Sequence, residues 1–282
     1  MLGMNAGGIG RRGFLRATSA TAALFLLGRR ASAEEGGDTV AKIKAAGKLR
    51  AGVAASAPYA FKDFKTGELI GTVIEVGKAA AKKIGVPLAV SEVGWDTIIA
   101  GLQADQYDVA LAALFETPAR QKVVDFVTIG QEGIAFLVRA DNSKINSVDD
   151  LKASGVTIAT VTGSGSEQMV KQNFASATIK SLISPTGGSG APPEEVISGR
   201  VDAAQFDATL TLAYLKRFPG LKAVPADAFT NPLFPTAVGI AVHKGDAQLV
   251  AFLAGVVKEM QDSGELLQMR QKWSNPDILL GS

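Results

Sequence analysis

Arg120 and the loop Gly163-Ser164-Gly165-Ser166 are the residues whose type and placement suit chemistry on an anion. Arg120 follows Thr117-Pro118-Ala119, directly after the apolar run Val109–Leu114 and the pair Phe115-Glu116. A run so short and apolar fits a strand covered on both faces, as in a parallel sheet. Open α/β sheets bind ligands just past the C-terminal ends of such strands. The guanidinium is a planar fork that accommodates a carboxylate through two parallel hydrogen bonds. The loop 163–166 opens a helical pattern, so its backbone N–H groups and the helix dipole favour negative charge. Ser164 or Ser166 serving as a plain helix N-cap would explain the loop equally well. The loop lacks the lysine of a nucleotide P-loop and has only two glycines of a dinucleotide fingerprint, so it gives weak support to either motif. Asp207 follows the strand pattern 201–206, where an aspartate is often a turn or cap residue.

These residues need a scaffold, and the pattern around them predicts one. The spacing gives a helix over 40–46, strands at 48–53 and 88–93, and a helix over 71–84 closed by Gly85 with Pro87 beyond it. From Trp95, a helix with Ile98, Ile99 and Leu102 on one face leads into the apolar strand at 109–114. The order β-α-β-α-β indicates a parallel, doubly wound sheet. Further on, strands are expected at 133–139, 156–161, 201–206 and 236–242. Helices are expected from 148, at 167–175, at 192–199, at 247–262 and at about 266–273. The Gly/Pro-rich stretch 185–193 reads as a loop.

The stretch from Trp95 to Phe126 resembles the amino-acid-binding proteins of ABC importers, the solute-binding proteins of family 3. The resemblance rests on Trp95-Asp96, Gln103 to Asp108, Thr117-Pro118-Ala119-Arg120 and Val124-Asp125-Phe126 at the right spacings. It extends to Gly199-Arg200-Val201-Asp202-Ala203, Gly239-Ile240-Ala241-Val242, Lys244-Gly245-Asp246 and Lys272-Trp273. It implies an α/β, two-lobed periplasmic-binding-protein fold, with a central sheet in each lobe and a two-strand hinge. The implied lobes are 34–137 plus 236–282, and 138–235. A ligand would be clamped between them and delivered to a membrane permease. Arg120 would hold its carboxylate with N–H groups around Ser164 and Gly165, and Asp207 would hold its ammonium. Trp95 would stack on it, and Ala113 would offer a carbonyl. Ser56 and Tyr59 lie where the family places aromatic residues near the ligand.

Several positions depart from the family pattern. Phe115 stands in place of a serine or threonine, and Gly165 in place of a threonine, so two hydroxyls are missing. Ala54 stands where binders of basic amino acids often carry an aspartate. With Trp95 and Phe115 present, an apolar, aromatic or non-standard amino-acid-like ligand is expected. Glu116 is expected to point to solvent.

Composition narrows the alternatives. Hydrophobic residues make up 47% of the 282-residue chain and charged ones 20%, enough for two cores. With no cysteine, thiol nucleophiles, iron–sulfur clusters, cysteine zinc sites and a lipid-anchoring cysteine are excluded. With one histidine, His243, no metal site and no cofactor are expected. The first 33 residues read as a twin-arginine signal peptide. Arg11-Arg12-Gly13-Phe14-Leu15-Arg16 opens it, an apolar stretch too short to span a bilayer follows, and Ala31-Ser32-Ala33 closes it before Glu34. The five charged residues of that segment are all arginines, so the remainder carries 24 basic and 27 acidic residues, a net of −3. No basic stripe is left for nucleic acid. A periplasmic monomer without a lipid anchor is expected. The competing reading is a periplasmic dehydratase resembling cyclohexadienyl dehydratase, which would need a general acid in the cleft; a binding protein, not an enzyme, is the expectation.

Overall fold

The apolar run at 109–114 does become a strand, Val109–Phe115 (β5), and all seven of its residues are buried. The computed structural model describes residues 38–188, 191–275 and 278. The expected signal segment and its cleavage site lie outside them. The other strands are β1 (Leu49–Val53), β2 (Phe61–Lys62), β3 (Leu69–Ile70), β4 (Leu88–Glu92), β6 (Val124–Arg139), β7 (Thr157–Val161), β8 (Thr178–Leu182), β9 (Ala203–Asp207), β10 (Leu221–Val224) and β11 (Leu233–His243). The helices are α1 (Thr39–Ala46), α2 (Thr72–Ile84), α3 (Ile98–Gln103), α4 (Pro118–Gln121), α5 (Gly165–Asn173), α6 (Ala191–Ile197), α7 (Thr211–Arg217), α8 (Ala247–Asp262) and α9 (Glu265–Trp273).

Two groups of parallel strands are joined through the antiparallel pair β6 and β11. The strand order is β4-β1-β5-β11-β6-β9-β7-β8, with β10 also on β6. β1 runs parallel to β4 and β5, and β7 runs parallel to β8 and β9. β6 pairs with β11 from Val124 to Ile134 and with β9 from Ile134 to Val138, so it serves both groups. Its register against β11 shifts at Val238/Gly239 and at Leu233/Thr236, where bulges re-aim side chains. This strand is far longer than the expected 133–139. Sequence alternation also left out β8, β10 and α7, which are short elements with no marked apolar run.

Much of the family pattern is structural. Tyr107 is fully buried, its ring lies on Gly52 and Gly101, and its hydroxyl donates to the Ile98 carbonyl. A side chain on either glycine would occupy the ring's place. Asp108 accepts from the Arg50 backbone N–H (2.8 Å) and from its Nη2 (2.6 Å), tying β5 to β1. Asp125 accepts from the Gly245 N–H and Lys244 Nζ, both at 2.6 Å, which fixes the start of β6 to the end of β11. α2 ends as its sequence predicts: Gly85 has φ +84° and its N–H reaches back to the Ala81 carbonyl.

Candidate functional site

Arg120 belongs to α4, a single turn that Thr117 caps by accepting the Arg120 N–H at 3.3 Å. Pro118 stands at its start, where a missing N–H costs little. The Arg120 Nη1 donates to the Phe115 carbonyl (3.1 Å) and Nη2 to the Gly163 carbonyl (3.0 Å). The side chain therefore links the end of β5 to the loop before α5. Burial lowers its pKa to about 10, so it stays cationic near neutral pH. Two of the five N–H donors of a guanidinium are engaged in these bonds.

The loop 163–166 crosses to meet the first group of strands. Gly163 has φ +76°, and a Cβ there would run into the backbone of Asp96. Ser164 caps α5 by accepting the Glu167 N–H at 3.0 Å, and its hydroxyl lies 3.1 Å from that of Ser166. A Cβ on Gly165 would lie 2.7 Å from the Phe115 Cβ and 3.2 Å from the Arg120 Nη1. The two positions at 115 and 165 therefore pack directly on each other, with the Phe115 ring 3.0 Å from that Cβ at Cδ2.

Asp207 ends β9 with an extended backbone and accepts the Ser56 hydroxyl at 2.9 Å. Ser56 sits in a tight loop after β1, where its N–H donates to the Ala60 carbonyl at 2.7 Å. From the same loop the Tyr59 hydroxyl donates to Glu132 at 3.0 Å. Thr209 donates to the same carboxylate oxygen at 2.9 Å, and the Gly133 N–H to the other at 3.0 Å. Burial, and next to it the charge of Asp207, pushes Glu132 up to about 7 despite those three donors. Burial and then the charge of Glu132 hold the Tyr59 hydroxyl well above its usual range.

These groups surround one cleft of about 500 Å3, its open mouth included. Eight of the expected residues line it: Trp95, Ala113, Phe115, Ser164, Gly165, Asp207, Ser56 and Tyr59. Arg120 stands behind Phe115 and Gly165 rather than on the lining. Ala113 and Phe115 end the buried strand β5, and Trp95 is half-buried before α3. Glu132 and Gln205 also line the cleft and were missed from the sequence. Both lie in strands, where alternation alone does not reveal a buried polar side chain facing a cavity; the charge between Gly130 and Gly133 was the available signal.

The stretch read as a plain loop at 185–193 also meets this region. The Ala55 N–H donates to the Thr186 carbonyl at 3.0 Å, and the Gly188 N–H donates to the Ala55 carbonyl. Glu116 is half-buried and accepts the Thr128 hydroxyl at 2.7 Å rather than lying free in solvent. His243 lies at the end of β11, 3.2 Å from Asp105, and is not on the lining.

The chain is similar in sequence to the L-cystine-binding protein TcyJ of Escherichia coli K12, with 28% identity over 241 residues, 84% of this chain and 86% of that protein. It is 30% identical over 237 residues to the arginine-binding extracellular protein ArtP of Bacillus subtilis 168, covering 80% of this chain and 87% of that one. In structure it is similar to the ancestral amino acid-binding protein AncCDT-1, a precursor of cyclohexadienyl dehydratase. The TM-score is 0.74 at 32% identity, over 84% of this chain and all of that one. The family model of the bacterial extracellular solute-binding proteins, family 3, matches residues 49–276. With that match and a cleft built where the strands of an α/β sheet end, the chain belongs to the bacterial extracellular solute-binding proteins, family 3.

Proposed function

We propose that the protein captures an amino acid in this cleft and passes it to the permease of an ABC transporter. The observation that carries the reading is convergence. Side chains from β1's loop, β5, α5's loop and β9 meet in one cleft with a cation, Arg120, beside it and an anion, Asp207, on its wall. A free amino acid carries one charge of each sign at fixed separation. Arg120's remaining N–H donors and the N–H groups opening α5 suit its carboxylate. Asp207 suits its ammonium, and the Ala113 carbonyl adds an acceptor. Trp95 and Phe115 shape the side-chain pocket.

The lobes are taken as 34–137 plus 236–282 and as 138–235, closing about β6 and β11. Export by the twin-arginine segment would place the mature chain, from Glu34, in the periplasm as a monomer.

A thermal-shift panel of amino acids tests the reading, because a ligand bound only by the folded form raises the melting temperature with concentration. Arg120→Ala and Asp207→Ala should each weaken binding by roughly 30-fold or more, since each leaves a buried charge of the ligand unpaired. Retained binding in both variants contradicts the assignment.

One observation favours a second reading, a dehydratase. Glu132 is a buried carboxyl in the cleft whose pKa is pushed up to about 7, where a general acid works well. Incubation with a cyclohexadienyl acid separates the two: a binding protein leaves the compound intact, and appearance of aromatic product supports the enzyme.

A further inference from the structure

The cleft holds two carboxylates, Asp207 and Glu132, close enough for the charge of one to raise the pKa of the other. Glu132 is 6% exposed, and its position is fixed by Tyr59, Thr209 and the Gly133 N–H. A carboxylate offers about four lone-pair sites, so three donors leave one for a ligand. The three partners are a phenol, an alcohol and a backbone amide, none of which brings a positive charge. The cation beside the cleft, Arg120, is bonded at the Phe115 and Gly163 carbonyls.

We propose that Glu132 is a second acidic contact for the ligand, and that the cleft selects an amino acid whose side chain carries a positive charge. The proposal rests on the amino-acid reading above. The cleft then presents two anions on its lining with one cation, Arg120, behind the wall at Phe115 and Gly165, and an amino acid with an ammonium or guanidinium side chain presents the reverse. A neutral amino acid would compensate Arg120 and Asp207 and leave Glu132 either as a buried unpaired charge or holding a proton. Either costs binding energy that a cationic side chain recovers. Ala54, where an aspartate would mark a basic ligand, carries no charge; Glu132 supplies it from β6 instead of β1's end.

The test compares charged ligands with neutral isosteres of the same shape: arginine against citrulline, and lysine against norleucine, by calorimetric titration near pH 7.5. The wild-type chain should bind the charged member roughly 10- to 100-fold more tightly, the range expected for one hydrogen bond to a charged group. Glu132→Gln should shrink that ratio toward one. A wild-type preference for the neutral isosteres, or a ratio unchanged in Glu132→Gln, overturns the proposal and leaves amino-acid capture standing. If Glu132→Gln does not fold, the wild-type ratio decides. Failure of every amino acid to bind, charged or neutral, removes the underlying reading and this one with it.

Discussion

Glu132 ties the stability of the ligand-free protein to pH. Burial first, and the charge of Asp207 second, raise its carboxyl from 4.5 to about 7. The groups around it are Asp207 on β9, Tyr59 and Thr209, with Arg270 on α9 acting on Tyr59. Because the folded pKa is the higher one, the folded chain binds the proton more tightly between the two values. The associated stability is complete below about pH 4.5 and is lost as pH rises through about 7, up to about 3 kcal/mol. Urea unfolding at pH 5 and pH 8 should show this loss in the wild type and a smaller one in Glu132→Gln. Equal losses in the two proteins would count against it. Phe115 and Gly165 make a second residue-scale prediction. Gly165→Thr alone should destabilise by about 1–3 kcal/mol through overpacking, because its Cβ falls 2.7 Å from the Phe115 Cβ. Adding Phe115→Ser removes the ring, 3.0 Å away at Cδ2, but keeps the Cβ, so it should recover only part of that loss, a coupling that a double-mutant cycle reads directly. Additive effects would mean that the two positions are independent.

At the scale of elements, segments that carry no charged cleft residue still determine how the walls meet. The bridge between Ala55 and the segment 184–188 requires Gly187, which has φ +85° and whose Cβ would collide with the Ala55 backbone. Gly187→Val should therefore cost about 2 kcal/mol or more and weaken ligand capture in the same titration. An unchanged melting temperature and affinity would show that this contact is dispensable. The sequence showed the elements that carry strong local signals, α2 with its terminal glycine and β5 with its unbroken apolar run, but the stretch after β5 read as a loop where the short helix α4 stands. It showed less where tertiary pairing sets the structure. β6 runs from Val124 because β11 and then β9 supply its partners, and no local pattern announces a 16-residue strand. The segment 184–188 is rich in Gly and Pro, which signals a turn but not what the turn rests on.

For the whole molecule, the cleft lies where two groups of parallel strands meet across β6 and β11. Eight of the nine expected site residues line it, and the ninth, Arg120, supports the lining from behind. That much was legible because Trp95-Asp96 and Thr117-Pro118-Ala119-Arg120 stand at the spacings of the resembled family, and Gly165 and Asp207 follow strand patterns. Glu132 was not, since its burial comes from strand pairing and from Tyr59, 73 residues away in sequence. The family match accounts for a solute-binding fold. The most direct measurement is a crystal structure of the mature chain, from Glu34, with the tightest-binding amino acid. The account predicts the ligand carboxylate within hydrogen-bond distance of the Arg120 guanidinium and the N–H groups opening α5, with the ammonium on Asp207. A ligand seated elsewhere, or one in this cleft with its carboxylate away from Arg120, would contradict it.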